Sequence, residues 1–148
     1  ISADLVSFIN EYVVNVYQSY RHLLTNNQNL KIKVITPKGL SFICSFKPIE
    51  LIIIIDNLLN NAYKAKADNV VLEWKEEKNN GIVLHIIDNG VGIPDKIVSK
   101  IFEFRFSTTN GSGIGLYHTK QIVEDLGGHI SVNNKLKIGA EFIVKFSK

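Results

Sequence analysis

The segment Pro48-Ile49-Glu50-Leu51-Ile52-Ile53-Ile54-Ile55-Asp56-Asn57-Leu58-Leu59-Asn60-Asn61-Ala62-Tyr63-Lys64-Ala65-Lys66-Ala67 most constrains how this chain can fold. Its β-branched run, Ile52 to Ile55, reads by propensity alone as a strand. On a helical wheel, however, Leu51, Ile55, Leu58, Leu59 and Ala62 share one face, and Asn57, Asn61 and Lys64 share the opposite face. A strand would scatter those three polar side chains over both sides. The pattern therefore predicts a helix from about Ile49 to Ala67, opened by Pro48. Its apolar face must be buried, and its polar face then lines a cavity or meets solvent.

The other elements fall around this helix. Apolar residues from Leu5 to Tyr20 recur at three- and four-residue steps, which predicts a helix over Asp4–Leu24 with Asp4 capping its start. Strands are expected at Leu30–Ile35, Leu40–Phe46, Val70–Lys75 and Ile82–Ile87. A short helix is expected at Asp95–Phe102. A longer one opens at Gly113 and runs to about Leu126, stopped by Gly127-Gly128. His129–Asn133 and Ala140–Phe146 read as a closing hairpin around Lys135–Gly139. Without a regular βαβ rhythm, the class is α+β: a mixed sheet with helices packed on one face.

A chain of 148 residues with 45% apolar content fits one globular domain. Its net charge of +3 is far from the basic face that phosphate-backbone binding demands, so nucleic acid is not implied. The single cysteine, Cys44, excludes an intrachain disulfide and reads as a small apolar residue, compatible with a cytoplasmic setting. Ile1–Val6 lacks the layout of a signal peptide, and Leu51–Ile55 is far shorter than the about 18 apolar residues of a membrane helix. No part of the chain is expected to sit in a bilayer.

Three segments carry chemistry. In Asp56–Lys64, an amide oxygen suits Mg²⁺, which keeps few protein contacts and takes the rest from phosphates and water, and Lys64 can face the same phosphates; a solvated polar stripe is the alternative. In Asp88-Asn89-Gly90-Val91-Gly92-Ile93-Pro94, a carboxylate at a strand end can accept from an exocyclic amine such as that of adenine. The glycines there let backbone approach a flat ring; a hairpin turn at Asn89-Gly90 is the alternative, although no strand-like run follows Gly92. In Gly111-Ser112-Gly113-Ile114-Gly115-Leu116, a glycine-rich helix start offers free N–H groups to phosphate; a flexible loop looks the same. Phe104 to Asn110, with Ser107, Thr108 and Thr109, reads as a lid or as an ordinary loop.

Taken in order, these segments resemble the GHKL nucleotide-binding superfamily, and within it the catalytic domain of sensor histidine kinases. The asparagine box is similar at Asn57–Lys64, the first glycine box at Asp88–Pro94, the phenylalanine box at Ile101-Phe102-Glu103 and the second glycine box at Gly111–Leu116. Gly139-Ala140-Glu141-Phe142 is similar to the closing GTxF. The resemblance covers nearly the whole chain and implies a two-layer α/β sandwich of Bergerat type, its mixed sheet mainly antiparallel. It implies ATP and Mg²⁺ as ligands, with Asn57, Asn61 and Lys64 catalytic and Asn61 on the metal. Asp88 would take the adenine amine, and Lys64 with the Gly111–Gly115 backbone the phosphates. Gly90, Gly92, Ile93, Phe102, Thr108, Thr109, Ile114 and Leu116 complete the implied nucleotide contacts. The chain departs from the family at Phe104-Arg105, often Pro-Phe; at Ala65, often aromatic; and at Ala140, usually threonine.

The resemblance also bears on the reaction. Relatives that split ATP with water carry a glutamate one turn before the metal asparagine, because water needs a base. Here that place is Asn57, an amide without a basic lone pair, and Asp56 points ~100° away around the helix. A neutral imidazole already has a nucleophilic nitrogen, so Asn57 favours transfer to histidine. The alternative is a nucleotide-binding switch, hydrolysing or degenerate, that regulates a partner. None of His22, His85, His118 and His129 is followed by an acidic residue, as family acceptors are, so all four read as structural or surface residues. The expectation is one catalytic domain over residues 1–148, lacking the acceptor-histidine hairpin. Its implied partners are that dimerisation and acceptor domain and a downstream response regulator, in a parent that is membrane-anchored or not.

Overall fold

The computed structural model describes residues 1–19, 30–107 and 113–147. Strand β1 (Ser2–Asp4) leads into helix α1 (Leu5–Glu11), which continues as a π-helical stretch over Tyr12–Tyr17. Asp4 caps α1 as expected: its carboxylate accepts from the backbone N–H of Val6 at 3.1 Å, from Ser7 Oγ at 2.7 Å and from the distant N–H of Phe42 at 2.9 Å. The expected end of this helix near Leu24 lies outside the described residues.

Strand β2 (Lys31–Ile35) precedes β3 (Ile43–Ser45), shorter than the strand expected over Leu40–Phe46. β3 pairs antiparallel with β1 in a two-stranded ribbon, apart from the main sheet. Helix α2 (Pro48–Lys64) resolves the ambiguity of the isoleucine run in favour of a helix, with Leu51, Ile54, Ile55, Leu58, Leu59 and Ala62 buried. It ends three residues before the expected Ala67, for a local reason. Lys66 adopts φ +63°, its N–H bonds the carbonyl of Tyr63 at 3.0 Å, and the Ala67 N–H bonds the carbonyl of Ala62 at 3.1 Å. That is a Schellman cap with lysine where glycine is usual.

Strands β4 (Asn69–Glu76) and β5 (Ile82–Asp88) follow, then the short helix α3 (Asp95–Val98), ending four residues before the expected Phe102. Helix α4 (Gly115–Asp125) starts two residues later than expected, because Gly113 takes φ +71° and its carbonyl accepts the N–H of Arg105 at 2.9 Å. β6 (His129–Asn133) and β7 (Glu141–Phe146) close the chain as an antiparallel pair.

The five-stranded sheet has the order β2-β4-β5-β7-β6, with β2 parallel to β4 and all other pairs antiparallel. This is the mixed, mainly antiparallel sheet of the expected α+β sandwich. Along β5, the period-2 alternation turns Leu84, Ile86 and Asp88 to the helix-covered side, so the apolar strand delivers a carboxylate at its end. His85 points to the other side, where its Nδ1 lies 2.8 Å from Glu141 Oε2. Among the described residues, no helix is long and apolar enough to cross a membrane.

Candidate functional site

A cleft of about 750 Å³ opens between α2, the end of β5 and the start of α4. Asn57, Asn61 and Lys64 line one wall, Asp88, Gly92 and Ile93 a second, and Gly113, Ile114, Gly115 and Leu116 a third. Segments at least 20 residues apart in sequence thus meet around one space, as the family resemblance implied. Gly90 and Phe102 stand outside the lining. Thr108, Thr109, Gly111 and Ser112 lie outside the described residues.

The amides of α2 have different duties. Asn57 Nδ2 donates to the carbonyl of Gly115 at 3.1 Å and to Thr119 Oγ1 at 3.0 Å, so this side chain ties α2 to the first turn of α4. A Cβ at position 115 would come within 3.3 Å of Asn57 Oδ1, a tight contact to which that amide would have to yield. Asn61 Nδ2 is buried and, among the described residues, has no hydrogen-bond partner. An unsatisfied buried donor costs about 1–3 kcal/mol, so a polar side chain retained there fits a place that a polar ligand completes. Among the described residues, no group of three or more His, Cys, Asp and Glu side chains is arranged to hold a metal. A cation in this cleft would therefore rest on an amide oxygen, phosphate oxygens and water, which suits Mg²⁺.

Asp88 is only 7% exposed, and its Oδ1 accepts the N–H of Gly90 at 2.8 Å. Burial pushes its carboxyl above the usual carboxylate range, against the lowering effect of the Gly90 bond. The residues around it are chosen for closeness. Gly90 packs on Ala65, whose carbonyl oxygen would lie 2.5 Å from a Cβ at position 90. Gly139, at φ +79°, presses on the Asp88 carbonyl where a Cβ would collide. The carbonyl of Ala65 also accepts the Val91 N–H at 2.9 Å, which seats the Gly90 loop on the end of α2.

Sequence reasoning missed several wall residues. Ile53 and Asn60 extend the cleft face of α2, and Ile97, Ile101, Phe106, Ala140 and Phe142 supply an apolar floor. Phe102 instead packs its ring edge-on against Phe142, centroids 6.3 Å apart. His118, read from sequence as structural or surface, also lines the cleft from the first turn of α4. Asp56 does point away as expected: it accepts the hydroxyl of Tyr12, and burial raises its pKa. The departure at Phe104 has a use, since its ring packs edge-on against Tyr117 of α4 at 5.1 Å.

A mainly antiparallel sheet under helices, with amides, a buried carboxylate and a glycine-rich helix start facing one cleft, defines a nucleotide-binding domain. Residues 46–148 match the family model described as histidine kinase-, DNA gyrase B-, and HSP90-like ATPase, and the chain belongs to that family. It is similar to the histidine protein kinase SaeS of Staphylococcus epidermidis, 31% identical over 95% of this chain and 42% of that protein. The chain thus spans less than half of that relative. Among solved structures it shares its fold with a mycobacterial sensor histidine kinase, MprB, with TM-score 0.80 at 21% identity over 99% of this chain and 95% of the other. The catalytic domain of histidine kinase ThkA gives TM-score 0.79 at 23% identity, covering 100% of this chain and 95% of that one. The chain is an ATP-binding catalytic domain of the sensor histidine kinase type.

Proposed function

We propose that this domain binds Mg²⁺–ATP in the cleft and delivers the γ-phosphoryl group to a histidine on a separate dimerisation domain. Asp88 accepts from the adenine amine, Asn61 supplies the amide oxygen to Mg²⁺, and Lys64 with the backbone at the start of α4 holds phosphate. Mg²⁺ supplies charge neutralisation across the phosphates. The chain's own residues do the rest: the apolar floor excludes water from the base, and Asn57 keeps the first turn of α4 seated against α2.

The observation that carries transfer rather than hydrolysis is the chemistry at position 57. Its amide nitrogen is committed to Gly115 and Thr119, and Asp88, placed at the end of β5, is the one acidic side chain among the described lining residues. No carboxylate stands at position 57 to take a proton from water, whereas an incoming imidazole brings its own lone pair. Transfer breaks the bond between the γ-phosphorus and its bridging oxygen, releases ADP and forms a phosphorus–nitrogen bond. The imidazole N–H proton then passes to solvent. A response regulator is the downstream recipient, and ATP supply puts the domain in the cytoplasm.

The test mixes the domain with labelled ATP, Mg²⁺ and the acceptor helical hairpin of the parent protein. Acid-labile, base-stable label on the hairpin is expected, and Asn61→Ala should abolish it. Acid-stable label would mean a hydroxyl acceptor, and ATP turnover without any hairpin would mean hydrolysis; either result overturns this reading.

A further inference from the structure

Helix α1 changes register just where it passes α2. In an α-helix, residues five apart lie about 140° apart around the axis. The wider i→i+5 turn of Tyr12–Tyr17 brings its first and last residues toward one side. Both tyrosines are buried, 9% and 1% exposed, and both hydroxyls reach α2. Tyr12 donates to Asp56 Oδ1, and Tyr17 donates to Asn60 Oδ1 at 2.7 Å. Asp56 and Asn60 are one helical turn apart, but they differ in one respect. Asp56 is not part of the cleft wall, whereas Asn60 is, beside Asn61 and one turn from both Asn57 and Lys64.

An amide free to rotate presents either its oxygen or its nitrogen to the cleft. Phosphate oxygens accept from N–H and repel a carbonyl, so only one orientation is useful there. The bond from the buried Tyr17 engages Asn60 Oδ1, which leaves the Nδ2 donors as the part of this cleft-lining amide suited to an anionic ligand. We propose that Asn60 is an additional phosphate-binding amide of this cleft and that Tyr17 is its positioning residue, holding Nδ2 toward a non-bridging oxygen of the bound triphosphate. This inference rests on the nucleotide-binding reading above.

Tyr12 provides a built-in control, because it makes the same kind of bond to a residue outside the cleft. The experiment is calorimetric titration of the 148-residue chain with Mg²⁺ plus a non-hydrolysable ATP analogue and, separately, with AMP, alongside thermal melts without ligand. Asn60→Ala should weaken the triphosphate about tenfold, the scale of a hydrogen bond to a charged group, and leave AMP unchanged. Asn60→Asp should weaken it further, by setting a carboxylate against phosphate. Tyr17→Phe should cost roughly threefold for the triphosphate alone, and adding it to Asn60→Ala should cost nothing more, since the two act as one unit. Tyr12→Phe should lower the melting temperature while keeping both affinities.

Wild-type triphosphate affinity in Asn60→Ala, equal effects of the two tyrosine variants, or additive effects of Tyr17→Phe and Asn60→Ala would overturn the inference. Asn61→Ala in the same series separates the two levels. If the unaltered domain binds neither ligand, the nucleotide reading fails. If it binds, and Asn61→Ala does not while Asn60→Ala does so normally, only the role of Asn60 and Tyr17 fails.

Discussion

Asp88 is a buried carboxylate that costs stability at the wall of the proposed nucleotide cleft. Burial raises its carboxyl pKa, because the charged form is less well solvated in the folded domain than in the unfolded chain. A raised folded-state pKa means the ligand-free domain loses stability as pH rises from the ordinary value of 3.8 through the folded value, and stays level above it. Asp88→Asn should remove that decline, raise the ligand-free melting temperature at pH 7, and weaken ATP binding by at least about tenfold. Melting curves from pH 3 to 8 with a parallel titration check it. The place of this carboxylate at the end of an apolar strand was legible in the sequence, because a strand ending in Asp-Asn-Gly is unusual. The tie from Asn57 to Thr119 was not legible, since it joins residues 62 apart whose meeting depends on the packing of α2 against α4.

The main helices were readable because each carries one continuous apolar face. The wheel of α2 outweighed the β-branched run, and Leu51, Ile55, Leu58, Leu59 and Ala62 are all buried. The β1–β3 ribbon was only half readable: β3 falls within the strand expected over Leu40–Phe46, whereas β1, three residues with none buried, leaves no periodic signal. The exact end of α2 was hidden as well, because lysine in a left-handed cap looks like any exposed lysine. Lys66→Gly should relieve that conformation and stabilise the domain by about 0.5–1 kcal/mol, read by denaturant unfolding. Asp4→Ala should cost about 1 kcal/mol by removing the cap of α1. Burial tends to raise the Asp4 pKa, but the bonds from Phe42, Ser7 and Val6 leave it lowered overall. Its contribution is therefore complete above the ordinary 3.8 and lost as pH falls through the folded value, so acid should erase the difference between Asp4→Ala and the unaltered domain.

For the molecule as a whole, the sheet holds its cleft residues on one side and keeps His85, Glu141 and Asn133 bonded together on the other. The sequence order of boxes conveyed the class of fold and three walls of the cleft. It did not convey the apolar floor, because Ile97, Ile101 and Phe106 look like ordinary core residues until the chain closes. Nor did it convey His118, whose direction depends on where α4 starts. On the proposed binding of ligand in this cleft, Mg²⁺–ATP at a hundredfold excess over its dissociation constant should stabilise the domain by about 2.7 kcal/mol, raising the melting temperature roughly 5–10 °C. On the proposed function, amides of α2, the carboxylate of β5 and the backbone start of α4 hold one magnesium triphosphate between them. Calorimetric titration of the unaltered domain and Asn61→Ala with a non-hydrolysable ATP analogue, with and without Mg²⁺, tests it most directly. Saturable one-to-one binding that depends on Mg²⁺ and weakens at least about tenfold in Asn61→Ala is the expected result. No heat at millimolar analogue, or equal binding by both proteins, would contradict it.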